Sequence, residues 1–223
     1  DIQVLEIYGQ SEDTGPTSFN LPGRTKFGTV GVALPGVQVK IADDSEILVK
    51  GPNVFLGYYK EPQATAESLI DGWLHSGDLG AFDAEGFLSI TGRKKEIIIT
   101  AGGKNIAPKN IEAAIKESPL VSEAVVIGDR RKYLVALVTL DEAATAGRDR
   151  GAITADIQRT IDAVNVKLAR VEQVKRFAIL SRQFSIETGE LTPTLKIKRK
   201  VVNANFAAEI EAMYVEDAAA AAG

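Results

Sequence analysis

The sequence predicts an α+β protein in two parts: a strand end leading into a small distorted β-barrel, then a compact α+β sandwich. Three observations point there. Short runs of strand-forming residues, broken by Gly and Pro, occupy residues 1–92. After residue 95 the pattern becomes helix, strand, strand, helix, strand, helix, an order that stacks into layers. The charge also changes sign at Gly92-Arg93: residues 1–92 carry 5 Lys/Arg against 13 Asp/Glu, and residues 93–223 carry 21 against 17. The expected division is 1–93, then 94–217, then a tail over 218–223. A chain of 223 residues, 45% hydrophobic and 25% charged, has room for one or two domains with real cores.

Residues 1–8 read as a strand beginning at the first residue without a cap or leader. A domain rarely starts that way, so a fragment of a longer protein is expected. Strand-like runs follow at 37–41, 46–50 and 87–90, with Gly51-Pro52-Asn53 and Asp71-Gly72 as turn signals. Residues 96–100 are a β-branched run, and Ala101-Gly102-Gly103-Lys104 is a flexible turn. Pro108 sits near the first turn of a helix reaching about Ser118, with Ile111, Ala114 and Ile115 on one face. Strands at 121–127 and 133–140 flank the charged turn Asp129-Arg130-Arg131-Lys132. A helix over 154–169, a strand over 174–180, a polar loop over 187–194 and a last helix over 200–214 complete the order. The alanine-rich tail from Ala218 is expected to fray.

Composition narrows the chemistry. The chain has no cysteine, which excludes disulfides and thiolate metal sites and fits a cytoplasmic protein. A single histidine, His75, argues against a multi-histidine metal site or a Ser-His triad elsewhere. No apolar run approaches the roughly 18 residues of a transmembrane span, so membrane contact, if any, is peripheral. The basic second part offers cations to a polyanion. However, Lys196, Lys198, Arg199 and Lys200 lack interleaved aromatics, so no nucleic-acid partner is expected.

Three segments carry possible chemistry. An Asp78 exposed in the turn His75-Ser76-Gly77-Asp78 can accept from both hydroxyls of a ribose, and Arg93 can hold the same sugar or its phosphate. Well-made bonds of this kind are worth roughly 1.5–3 kcal/mol each. The plainer alternative is that Asp78 caps a turn. In Tyr8-Gly9-Gln10-Ser11-Glu12-Asp13, the Ser11 hydroxyl and backbone amides suit phosphate oxygens, Glu12 suits Mg²⁺ and Tyr8 offers a flat face to a base. The alternative is an acidic strand-end turn with a buried tyrosine. In Leu191-Thr192-Pro193-Thr194-Leu195-Lys196, a lysine before a helix can reach a developing negative charge. Its alternative is a basic helix start on a solvated face.

Taken in order, six motifs resemble the adenylate-forming superfamily of acyl-CoA synthetases, luciferases and peptide-synthetase adenylation domains. They are Tyr8–Glu12, the run from Glu46 to Tyr59, Asp71–Asp78, Gly92–Glu96, the run from Gly102 to Pro108, and Leu191–Lys196. The Leu-Thr-Pro-Thr-Leu-Lys form most resembles the C-terminal part of long-chain fatty-acid CoA ligases. Other branches usually have Gly before the lysine, where this chain has Leu195. The resemblance makes residues 1–93 the end of a large ATP-binding domain and residues 94–217 a mobile small domain.

It also implies roles. Tyr8 would stack on adenine, with Gly9 beside it. Ser11 would contact the α-phosphate and Glu12 would carry Mg²⁺. Asp78 would accept the ribose hydroxyls, with Arg93 as partner. Lys95 would be the hinge, Lys196 the adenylation lysine and Gly102 part of the tunnel for CoA. His75 is read as mainly structural. The implied substrates are a fatty acid, ATP and CoA, with AMP and pyrophosphate released. The family's Ser/Thr/Gly-rich phosphate loop and acyl tunnel are expected upstream, so the chain alone is expected to make no acyl-adenylate. An aryl-CoA ligase, a peptide-synthetase adenylation domain and a non-catalytic nucleotide-binding module remain alternatives.

Overall fold

The computed structural model describes residues 2–220, with side chains as far as residue 215. The chain divides into two units between Glu96 and Ile97.

In the first unit, β1 (Ile7–Gln10), β2 (Gly15–Phe19) and β3 (Val32–Ala33) form an antiparallel three-stranded sheet. A second sheet comprises β4 (Gln38–Ile41), β5 (Glu46–Lys50), β6 (Leu69–Ile70), β7 (Trp73–Phe82) and β8 (Leu88–Arg93), with helix α1 (Pro62–Ser68) before β6. Strand β7 pairs with β5 on one edge and with β6 and then β8 on the other, and the sheet curls into a half-barrel. Asp71 and Gly72 both have positive φ, at 53° and 77°. That is the two-residue hairpin conformation whose twist matches its strands, so this dipeptide joins β6 to β7. Tyr8, Ile47, Val49, Leu74 and Leu88 form the core.

Two expectations change here. The first strand begins at Ile7, because Ile2 and Val4 are 94% and 82% exposed and find no face to bury against; Asp1 lies outside the described residues. More consequentially, His75-Ser76-Gly77-Asp78 lies within the ten-residue strand β7. Leu48 pairs with His75 and Glu46 with Leu79, so Ser76, Gly77 and Asp78 stand opposite Ile47 alone. The Ser-Gly signal is real, but it is spent on a bulge rather than a turn. Gly77 sits at φ 71°, a conformation that favours glycine.

In the second unit, β9 (Ile98–Ile99) and β10 (Asn105–Ile106) form a hairpin ahead of α2 (Pro108–Lys116). A three-stranded sheet follows, β11 (Val121–Ile127), β12 (Leu134–Leu140) and β13 (Val174–Ile179), in that order, antiparallel and then parallel. Between β12 and β13 lie α3 (Glu142–Thr145) and α4 (Arg150–Val166), and α5 (Arg199–Asn205) and α6 (Ala207–Ala220) close the chain. Successive side chains of a strand point to opposite faces. Ala124, Val126, Leu134, Ala136 and Val138 accordingly pack with α2 and α4 on one face. Val125, Ile127, Val135 and Leu137 pack with Val202, Phe206, Ile210 and Met213 on the other. Two-sided burial explains the nearly continuous apolar run of the central strand β12, Leu134–Leu140.

The last helix expected over 200–214 is two helices. The break falls at Phe206, which leaves helical geometry at φ −115° and ψ 29° and is buried against Phe184. Of the expected tail, residues 218–220 continue α6 and residues 221–223 lie outside the described residues.

Candidate functional site

The bulge in β7 turns the Asp78 carboxylate inward, where it is 6% exposed. Asp78 pairs with Arg93 across the β7–β8 ladder, and Arg93 Nε donates to Asp78 Oδ1 at 2.7 Å. The Tyr8 hydroxyl, coming from β1, donates to Oδ2 at 3.0 Å. The carboxylate therefore binds one partner 15 positions away and another 70 positions away, and its charge makes both bonds stronger than neutral ones. Burial pushes the Tyr8 phenol well above its usual range, so it remains a donor. The bond to Asp78 likewise raises the Arg93 guanidinium. These placements correct two expectations: Asp78 is buried in a strand rather than exposed in a turn, and Tyr8, 9% exposed, packs its ring in the core. What Tyr8 presents to the site is its hydroxyl.

A second carboxylate supports the bulge. Glu46, 4% exposed, accepts from the Gly77 N–H at 2.9 Å, from Lys94 Nζ at 2.9 Å and stands 3.0 Å from His75 Nδ1. Lys94 also reaches Asp44 at 2.6 Å. Burial alone would raise the Glu46 carboxyl, but Lys94, His75 and the Gly77 N–H outweigh it and hold the group below its ordinary value. The reading of His75 as structural agrees with this contact. Sequence reasoning passed over Glu46 and Lys94; the available signal was an acidic residue opening the buried run Ile47-Leu48-Val49.

The turn after β1 carries the next group. Gly9 is required there, since a Cβ would sit 1.8 Å from the Gly15 carbonyl oxygen. Asp13, fully buried, accepts from the Gln10 N–H at 2.8 Å and from the Thr17 hydroxyl, and so shapes the 3₁₀ turn of Ser11–Asp13. Ser11 is exposed and, with Ile7, Gly9, Gln10, Thr14, Gly15 and Pro16, lines an open cleft of about 550 Å³. Glu12 is half-buried; its Oε1 accepts from the Tyr58 hydroxyl at 2.7 Å, and its backbone carbonyl accepts from the Phe55 N–H at 2.8 Å. Tyr58 was not anticipated as a partner. Among the described residues no three His, Cys, Asp or Glu cluster as a metal cage. Mg²⁺ is usually held by one or two carboxylates together with substrate phosphates, so the donor set of Glu12 and Ser11 beside this cleft fits it.

Lys95 lies exposed in the 3₁₀ turn Lys94–Glu96, two residues before the second unit begins. Gly102 and Lys196 belong to that second unit, on separate loops. Gly102 lies between β9 and β10, and an added Cβ would meet only Thr100 Oγ1, at 3.9 Å. Its neighbour Gly103, at φ 72°, is the glycine the turn itself needs. Lys196 is exposed, between β13 and α5. The Lys196 N–H donates to Thr192 Oγ1 at 3.0 Å, the Thr192 N–H to the Lys196 carbonyl at 2.8 Å, and the Leu195 N–H to the Thr192 carbonyl at 2.8 Å. Leu195 occupies φ 60°, the left-handed conformation that glycine adopts freely. The structure thus gathers Tyr8, Asp78 and Arg93 into one contact set, with Gly9, Ser11 and Glu12 on the turn that follows Tyr8. Among the described residues, no helix is long and apolar enough to cross a membrane.

Comparison with known proteins agrees in both units. The family model for the AMP-binding enzyme C-terminal domain matches residues 95–218, and that for the AMP-binding enzyme matches residues 1–59. The long-chain-fatty-acid–CoA ligase FadD15 of Mycobacterium bovis is 45% identical over 96% of this chain and 38% of its own length. The long-chain-fatty-acid–CoA ligase ACSBG2 of Xenopus laevis is 39% identical over 96% of this chain and 34% of its own. The chain therefore spans little more than a third of these relatives. Among solved structures, the AMP complex of the A-PCP didomain of carboxylic acid reductase from Segniliparus rugosus matches with a TM-score of 0.80 and 26% identity, covering 100% of this chain and 32% of that one. The AMP complex of O-succinylbenzoate coenzyme A synthetase from Bacillus subtilis matches with a TM-score of 0.69 and 29% identity, covering 88% and 40%.

Proposed function

Because this chain belongs to the AMP-binding enzymes, the adenylate-forming superfamily, we propose that it is the C-terminal part of an ATP-dependent long-chain fatty-acid CoA ligase. The observation that carries the reading is the Asp78 carboxylate, buried in a strand bulge and held by Arg93 and Tyr8 in an arrangement suited to a ribose. The relatives named above support the fatty-acid assignment.

In the proposed reaction a fatty carboxylate attacks the α-phosphorus of ATP and pyrophosphate leaves; the CoA thiolate then displaces AMP from the acyl-adenylate. Asp78 accepts from the ribose hydroxyls, and Arg93 neutralises it and holds the sugar or its phosphate. Tyr8, its ring in the core, keeps Asp78 aligned at the edge of the nucleotide site. The Ser11 hydroxyl and the amides after Gly9 face the α-phosphate. Glu12 would hold Mg²⁺, which when bound neutralises phosphate charge. Lys196 bridges the two anions that must meet, and most of the catalysis is this alignment and charge neutralisation. Gly102 lines the passage for CoA; nothing in its own turn requires a glycine, which supports a need from outside the turn. Lys95 is the joint between an ATP-binding part ending near Arg93 and a mobile small domain, and its turn exchanges Lys196 for Gly102 at the site. A Ser/Thr/Gly-rich phosphate loop of the kind the family uses would complete the adenylation site.

The test is Lys196→Ala in the full-length protein. Pyrophosphate release from ATP and palmitate should fall by about 10²–10³-fold, while thioester formation from supplied acyl-adenylate and CoA persists. Equal loss of both steps refutes the assignment, and a preference for aryl or amino acids over palmitate moves the protein to another branch.

A further inference from the structure

We propose that Glu190 is a positioning residue for Lys196, holding the foot of the loop that presents the lysine; this rests on the adenylation role of Lys196 argued above. Glu190 is fully buried yet charged. Its Oε1 accepts from Arg182 Nη2 at 2.5 Å and from Asn205 Nδ2 at 2.8 Å. Its Oε2 accepts from Arg182 Nη1 at 2.7 Å, from the Thr188 hydroxyl at 2.7 Å and from the Ser185 N–H at 3.3 Å. The Arg182 fork is the main cause that holds this carboxyl down to about 2, so it stays ionised across the neutral range.

The backbone of the same residue closes the loop. The Lys198 N–H donates to the Glu190 carbonyl at 2.7 Å, and Leu191 pairs with Ile197 in the next rung. Residues 191–197 therefore project as a small hairpin whose base is Glu190. On the C-terminal side Arg199 is fixed as well: it donates to Glu112 and, at 3.1 Å, to the Val126 carbonyl, and Glu112 is itself buried. Both ends of the Lys196 loop thus rest on buried carboxylates, while Lys196 and Leu195 between them are exposed.

Stability alone is a poor account of this. Buried ion pairs are weak stabilisers and can often be replaced by packed apolar residues. Arg182, which holds Glu190, lies 4.9 Å from the centroid of the Phe206 ring, beside an apolar cluster that needs no carboxylate for its packing. A carboxylate with five donors from four residues instead fixes a direction, because Arg182, Ser185 and Thr188 hold it from the preceding loop and Asn205 from α5. A displacement of about 1 Å at a reacting group can cost roughly 100-fold in rate.

In the full-length protein, Glu190→Gln should slow pyrophosphate release by about 10–100-fold with the KM for ATP within about twofold, leaving thioester formation from supplied acyl-adenylate unchanged. Amide exchange at Lys196 and Lys198 should quicken by about tenfold or more. Combined with Lys196→Ala it should add no further loss, since the two act as one unit. Unchanged pyrophosphate release, or an equal fall in both half-reactions, overturns the positioning role. Should Glu190→Gln fail to fold, Arg182→Lys, which keeps the charge and loses the fork, takes its place with the same criteria. If Lys196→Ala itself leaves pyrophosphate release intact, the adenylation reading fails instead, and the exchange measurement still decides whether Glu190 shapes the loop.

Discussion

In the first unit Tyr8, Asp78 and Arg93 are built into strands, with Asp78 at 6% exposure in a bulge and Glu46 at 4% bracing it from the neighbouring strand. In the second Lys196, the proposed adenylation lysine, stands in solvent, and the buried charge of Glu190 lies at the foot of its loop. Their cores differ to match. Among the described residues the first unit's cluster holds five buried side chains, whereas the second unit has clusters of fifteen and ten on the two faces of its sheet. A thin core leaves the first unit dependent on hydrogen bonds that are also the site. A thick core lets the second unit carry Lys196 at the exposed tip of a loop whose ends, Leu191 and Ile197, pack on that core. Site and fold are thus coupled in one unit and separable in the other.

Three substitutions test that contrast. Leu137→Ala removes a fully buried side chain from β12 and should destabilise the second unit by about 2–5 kcal/mol, read by urea unfolding with amide exchange. Activity per folded molecule should be retained; its loss would break the separability. Asp78→Ala should cost the first unit about 1–3 kcal/mol, chiefly by leaving the buried Tyr8 hydroxyl without its acceptor. ATP affinity should fall by about tenfold or more in the same variant, measured by titration. A change in affinity without one in stability would show that site and fold are not coupled there. The smallest effect is expected from Leu195→Gly. Relief of the left-handed conformation, about 1–2 kcal/mol, is offset by about 0.5–1 kcal/mol of added chain entropy, for a net gain below about 1.5 kcal/mol in thermal unfolding. A net loss would show that the exposed Leu195 packs on something when the protein works.

What was legible in the sequence was governed by nearby residues. Val121–Ile127 and Glu46–Lys50 emerge with the boundaries their residue types announce, and Ile111 and Ile115 fall on the buried face that helical spacing assigns. The motifs also bring Asp78 and Arg93 to one nucleotide site, and the two are bonded across the β7–β8 ladder. The ring of Tyr8 and the exposure of Asp78 were misread, because nothing local says which side of a strand a core will form on. The break at Phe206 was hidden in a helical pattern and depends on Phe184, across the β13–α5 loop.

By itself, then, the sequence determined the family, the α+β order and the identity of the chemical groups, since each rests on composition, spacing or short motifs. The tertiary structure alone decided that Ser76–Asp78 is a bulge, that Tyr8 and Arg93 share one carboxylate, and that Glu190 anchors the Lys196 loop. The physical reason is the same in all three. A buried carboxylate is tolerable only when donors surround it, and here many of those donors come from distant residues: 70 positions away for Tyr8, 31 for Glu46 and Gly77, and 15 for Glu190 and Asn205.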